Sequence, residues 1–342
     1  MRAAVFREMG KPLVLEALAD PAPGANDLVL KVRNCGICGS DLHMTEPSSF
    51  MPPPPGSVMG HEFAGEVVAI GSALAGQFRE GDRVTGLPFI CCGAHSPCPS
   101  LLGAREACMR GVPVGLGQSH GAYAEYVKIG GLSAFRLPEA MSFRQGAMVE
   151  PLAVGLHAVD MARMDRGATV LVIGAGPVGL SAMLWAKFLG ARHVIVSEKA
   201  ETRRAMAAKF GATDAVDPAM PLTPQVEKIA GAAPDVIFEC VGAPGILGAA
   251  MIEAPRRCKI VIAGACQQPD TIMPLMGIAK ELNLQFVLGY RAADFDYVIA
   301  MIAAGRVDVE AMVTDIVTLD ELPAAFEALR KPTHQCKVML EN

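Results

Sequence analysis

The chain has no run of 18 apolar residues, no tract of basic residues and no internal repeat. The first lack argues against a membrane span, which needs about 20 such residues. The second, with a net charge of −5 and aromatics at only 5%, argues against nucleic acid as a partner. Such binding needs clustered cations, with stacking rings among them. A secretory leader is not expected either, because Arg7, Glu8, Lys11 and Glu16 interrupt the early apolar residues. The expectation is a cytoplasmic protein without membrane or nucleic-acid partners. Thiols stay reduced there, so ten cysteines point to metal or catalysis rather than disulfides. Cys35, Cys240, Cys258, Cys266 and Cys336 read as small buried hydrophobes.

What is present is enough apolar residue, 51% of 342, for two cores. The first 150 residues are rich in Gly and Pro and carry short β-type runs: "DLVLKVRNCGICG", "EFAGEVVAIG", "DRVTGLPFI" and "AYAEYVKI". "MPPPPGS" at 51–57 reads as a stiff surface loop. Near residue 151 the texture changes: "ATVLVIG", "HVIVSE", "PDVIFECVG", "CKIVIAG" and "LNLQFVLG" alternate with helical patterns. That alternation predicts a parallel sheet with right-handed crossovers, hence an α/β fold. After about residue 290, two helical segments precede a last strand, "CKVMLE".

"VLVIGAGPVGL" carries Gly174, Gly176 and Gly179, with Pro177 and Val178 between the last two. This GxGxxG follows an apolar strand and opens a helix. The first glycine makes the tight turn, the second admits a pyrophosphate to the backbone, and the third lets helix and strand pack closely. Glu198 ends the next strand, 19 residues after Gly179. A carboxylate there accepts from ribose hydroxyls and repels a 2′-phosphate, which predicts NAD over NADP. Lys199 and Arg203 pull the other way. Elsewhere, Cys38, Ser40, Asp41 and His43, then His61 with Glu62, then Glu150, offer the donor types that Zn²⁺ accepts. Taken singly, Cys38 also reads as a buried small hydrophobe and His61 as a core histidine, and spacing alone does not join positions so far apart.

The motifs "CGICGSDLH", "GHEFAGEV", "GDRV", "GAYAEY", "EPLAVGLHAV", "VLVIGAGPVGL", "DVIFECVG" and "KVML" run from end to end. By them the chain resembles the zinc-dependent medium-chain alcohol dehydrogenase family. The Glu150-Pro151 and His61-Glu62 pairs make it most similar to the polyol, threonine and butanediol dehydrogenase branch. The resemblance implies a GroES-like, β-rich catalytic domain of residues 1–151 and 291–342. A Rossmann doubly wound domain, 152–290, would be inserted in it, with zinc in the cleft between. Cys38, His61 and Glu62 would hold the catalytic zinc, with Glu150 binding directly or through water. Asp41 would orient His61, and Ser40 and His43 would relay the alcohol proton to solvent. Val241–Gly242 and Ala263–Gly264, at strand C-terminal ends, would line the nicotinamide side.

The activity implied is hydride transfer between NAD(H) and a secondary alcohol, diol or polyol. An NADPH-dependent carbonyl reductase and a non-catalytic dinucleotide-binding relative are the alternatives. Phe50 and Phe89 favour an apolar substrate and Arg291 a polar one. A homodimer or homotetramer is implied too. Segment 276–290, "MGIAKELNLQFVLGY", reads equally as its interface or as an ordinary buried last strand. Family members often carry a structural zinc on four cysteines with gaps of two, two and seven. Here Cys92, His95, Cys98 and Cys108 give gaps of two, two and nine. Histidine is an acceptable ligand in such a site, and a longer loop costs little. Ser100 in the third place would restore the gap of seven but break the site.

Overall fold

A computed structural model describes residues 1–91, 108, 110–331 and 334–342. It divides into two compact units, Met1–Glu150 with Arg291–Asn342, and Pro151–Tyr290. The first is a β-rich unit and the second a doubly wound parallel sheet, so the α/β fold class read from the sequence holds. Among the described residues no helix is long and apolar enough to cross a membrane.

In the β-rich unit the sheet order is Val313–Val317, Lys337–Glu341, Asp27–Gly36, Glu62–Ile70, Arg83–Gly86 and Ala134–Arg136. Tyr126–Gly130 also pairs with Asp27–Gly36. The inward residues Leu28, Leu30, Val32, Phe63, Val67 and Val84 are at most 1% exposed and form one core with Met59, Tyr123 and Phe326. Two expected strands are shorter than read. "DLVLKVRNCGICG" stops at Gly36, because Cys38 turns the chain into the helix Gly39–Met44. "AYAEYVKI" is strand only from Tyr126, because its first residues instead bond to Arg2, Ala4 and the 58–60 turn.

The second unit orders its strands as Asp214–Val216, His193–Ser197, Thr169–Ile173, Val236–Glu239, Lys259–Ile262 and Asn283–Phe286, all parallel. The central strands are continuously buried β-branched runs, as a sheet covered on both faces requires. Strand order reverses between Thr169–Ile173 and Val236–Glu239. Beyond their C-terminal ends lies the crevice where open α/β sheets bind ligands. Asn283–Phe286 is the open edge of this sheet. Phe286 and Leu288 are 64% and 94% exposed, and the helix Pro274–Lys280 buries none of its residues. Among the described residues no further strand pairs with Asn283–Phe286, so segment 276–290 is not an ordinary buried last strand.

Candidate active site

Three strand ends meet in the β-rich unit. Gly36 closes one strand and pairs with Glu62, which opens the next. Lys337 opens the last strand, whose Met339 also pairs with Gly36. Cys38, two residues past Gly36, caps the helix Gly39–Met44. The Sγ of Cys38, a ring nitrogen of His61 and a carboxylate oxygen of Glu62 lie within 4.8 Å of one another. Among the described residues this is the one group of three such side chains placed to share a metal. Glu150, in the first turn of the helix Val149–Ala162, is buried but stands outside that group.

Behind His61 lies Asp41, wholly buried, with Oδ1 3.2 Å from His61 Nδ1 but off the line of a hydrogen bond. Asp41 Oδ2 accepts from the Cys38 amide at 3.2 Å and from the Tyr123 hydroxyl at 2.5 Å. Ser40 donates to Cys38 Sγ at 3.2 Å and lies 3.5 Å from His61 Nε2. His43 is half exposed, its Nδ1 3.5 Å from Glu46. Glu62 accepts from the Lys337 ammonium through both oxygens, at 2.7 and 2.6 Å, and that ammonium also donates to the Ile37 carbonyl at 3.0 Å. Each partner of the pair is 1% exposed. Gly36 makes room for it: a Cβ there would fall 2.1 Å from Glu62 Oε2.

These residues fit a divalent cation on charge. Asp41, Glu62 and Glu150 are buried carboxylates beside a thiol, and Lys337 is the buried ammonium among them. Buried charge of one sign is costly without counter-charge. Burial pushes the His61 imidazole toward its neutral form, but the Asp41 and Cys38 charges outweigh it and raise its pKa well above the usual histidine value. Burial likewise opposes the Lys337 charge, and Glu62 and Cys38 outweigh it. Cysteine, histidine and carboxylate are the donors of a catalytic zinc site with an open fourth position.

In the second unit the glycine turn sits at the reversal of strand order. Gly174 has φ +97°, and a Cβ on Gly179 would fall 2.0 Å from the Gly174 carbonyl. Beside Gly176 a Cβ would meet nothing within 4 Å, so open space lies over the N-terminus of the helix Pro177–Phe188, which Pro177 and Val178 begin. Glu198 accepts from the Ala175 and Ala200 amides, each at 2.9 Å. Arg204 bonds to the Glu198 and Lys199 carbonyls, while Arg203 is half-buried on the same helix. Glu239, 2% exposed, accepts from the Val241 and Gly242 amides at 2.7 and 2.9 Å. Its own carbonyl accepts from Ala263 and Gly264, so one residue ties the two turns together.

Other readings fare differently. Phe50 is 82% exposed. Phe89 packs on Cys91 and Cys108. Arg291 starts the helix Ala292–Ala303, its guanidinium bonded to Asp294. Cys35, Cys258 and Cys336 are buried and Cys240 half-buried, but Cys266 is exposed, because it lies past the C-terminal end of the strand Lys259–Ile262 in a stretch whose neighbours from Ala265 to Thr271 are mostly exposed. Cys92, His95 and Cys98 lie outside the described residues, and Cys108 is buried. Three contributors escaped sequence reasoning. Lys337 stood only inside "KVML" and Tyr123 inside "GAYAEY", while Glu239 ended an apolar strand; none had a local signal beyond being a polar residue in an apolar run.

Residues 24–139 match the family described as Alcohol dehydrogenase GroES-like domain, and residues 177–304 the family described as Zinc-binding dehydrogenase. Sorbitol dehydrogenase of Bacillus subtilis (strain 168) is 31% identical, covering 99% of this chain and 97% of its own. The crystal structure of 2R,3R-butanediol dehydrogenase from Bacillus subtilis is 30% identical with a TM-score of 0.87, covering 100% and 99%. A zinc-binding dehydrogenase from Sinorhizobium meliloti 1021, solved bound to NADP, is also 30% identical with a TM-score of 0.87, covering 100% and 99%. With these relatives matched over nearly their whole length, the chain belongs to the zinc-dependent medium-chain alcohol dehydrogenase family, in its polyol and butanediol branch.

Proposed function

We propose that this oxidoreductase transfers a hydride between NAD(H) and a secondary alcohol, diol or polyol, with a catalytic zinc. The convergence of Cys38, His61 and Glu62 within 4.8 Å carries the reading. When bound, the zinc would supply Lewis acidity that lowers the alcohol pKa, and the nicotinamide would supply the hydride acceptor. Cys38, His61 and Glu62 hold the metal in this reading, with Glu150 joining directly or through water in turnover. Asp41 orients the His61 ring. Ser40 takes the alcohol proton, and half-exposed His43 passes it to solvent. Glu198 accepts from the adenosine ribose, and the turns tied by Glu239 line the nicotinamide. Substitution Cys38→Ser is the test: zinc content should fall by one per chain and turnover should be lost. Normal zinc and normal turnover would overturn the assignment.

Coenzyme choice has a second reading. Lys199, Arg203 and Arg204 follow Glu198 closely in the chain, and the Sinorhizobium meliloti relative is bound to NADP. These basic residues would suit the alternative, an NADPH-dependent carbonyl reductase. A panel of alcohols and ketones assayed with NAD and NADP decides it. The open strand Asn283–Phe286 with exposed Phe286 and Leu288 supports a homodimer or homotetramer through this edge, since an exposed apolar edge is a pairing site. The cytoplasm remains the proposed location. A Cys92, His95, Cys98 and Cys108 structural site would bring zinc to two per chain, and a stoichiometry of one would exclude it.

A further inference from the structure

Tyr123 is wholly buried, and its hydroxyl lies among groups that the proposed metal site needs. A phenol has one proton to donate. The Asp41 Oδ2 at 2.5 Å takes it rather than the Gly36 carbonyl at 3.4 Å. With the Cys38 amide, this gives Oδ2 two donors. The carboxylate is then turned so that Oδ1 faces His61 Nδ1. The chain makes room for this arrangement at a cost. Gly60, next to His61, has φ +94°, and a Cβ on it would fall 2.5 Å from the Tyr123 ring. The ring also meets Phe326 edge-on, with centroids 6.3 Å apart. Gly60 and Phe326 thus both pack against the ring that carries this hydroxyl.

We infer that Tyr123 is a positioning residue: by holding the Asp41 carboxylate behind His61, its hydroxyl sets how tightly the Cys38, His61 and Glu62 site takes a divalent metal. The inference rests on the zinc reading above and adds a residue to it. Partners one bond beyond a metal ligand change affinity about 10–100-fold when removed. Tyr123 stands one bond further, so the low end applies.

The experiment titrates the metal-free full-length protein with Zn²⁺ against a chromophoric chelator. The Zn²⁺ that Cys38→Ser fails to bind defines the site. Tyr123→Phe keeps the ring, and it should weaken that site about tenfold while binding the same number of ions. The pH profile of turnover should shift with it. In an Asp41→Asn background the same substitution should change affinity by less than about twofold, because the route through Asp41 is already gone. A Tyr123→Phe site as tight as the parent, or an equal loss in both backgrounds, overturns the inference. Parent and Cys38→Ser binding Zn²⁺ alike would instead overturn the zinc reading beneath it.

Should Tyr123→Phe not fold, the parent answers by NMR with tyrosine labelled at Cζ. The chain has four tyrosines, and Tyr123 is the fully buried one, hence the resonance untouched by a soluble paramagnetic agent. Zn²⁺ should move that resonance. If it stays in place while the site fills, Tyr123 plays no part.

Discussion

Lys337→Met gives the most demanding prediction. In the parent, the Lys337 ammonium bonds both oxygens of Glu62 and the Ile37 carbonyl, and the pair is 1% exposed on each side. Methionine fills a similar volume but leaves a buried carboxylate without its counter-charge. Removing one partner of a buried pair costs about 3–5 kcal/mol. For a unit of about 200 residues that corresponds to a melting shift on the order of 10 °C. The metal-free variant should show this loss in full. Zn²⁺ bound at Cys38, His61 and Glu62 supplies positive charge to the same carboxylate, so it should stabilise the variant more than the parent. Adding Glu62→Gln to Lys337→Met should recover much of the loss, because the stranded charge is removed. Calorimetry of the four combinations, each with and without Zn²⁺, measures all of it. A metal-free variant melting with the parent, or equal protection of both by Zn²⁺, would refute the reasoning.

Three further outcomes follow from local geometry. Gly60→Ala forces a Cβ at φ +94° against the Tyr123 ring. It should cost about 2–4 kcal/mol in urea unfolding and lower turnover, since His61 is next in the chain. Glu198→Ala should raise KM for NAD by about tenfold or more, from the lost bond to a charged group, and ease the penalty against NADP; an unchanged NAD-to-NADP ratio would remove Glu198 from coenzyme choice. Among the cysteines discussed, exposed Cys266 should react rapidly with a thiol reagent at pH 8. Cys258, 3% exposed with its thiol pushed up to about 12 by burial, should react only on unfolding. The sign follows from its protonated form being favoured in the fold. Below pH 9 Cys258 adds no pH dependence, and stability falls as pH rises from 9 toward 12 because the unfolded chain sheds a proton the fold retains. Mass mapping of labelled sites and alkaline melts check both halves.

The turn at Gly174, Gly176 and Gly179 was legible in the sequence because its physics is local. A strand, a left-handed glycine and a helix start are written consecutively, and the carboxylate that closes the motif ends the very next strand. Cys38, His61 and Glu62 were legible as donors but not as neighbours, except through resemblance. What joins them is the register that sets Gly36 beside Glu62, and register is a property of paired strands rather than of either strand alone. Lys337 was not legible at all. It comes 275 residues after Glu62, and a lysine at the head of an apolar strand ordinarily reads as solvated. Tyr123 was hidden for a similar reason: its donor role needs Asp41, 82 residues earlier, and the gap left by Gly60. The sequence by itself determined which chemistry the chain can carry, since donor types and glycine turns are covalent facts. Only the tertiary structure decided which charges share a buried space, because the cost of burying them depends on what the fold sets alongside.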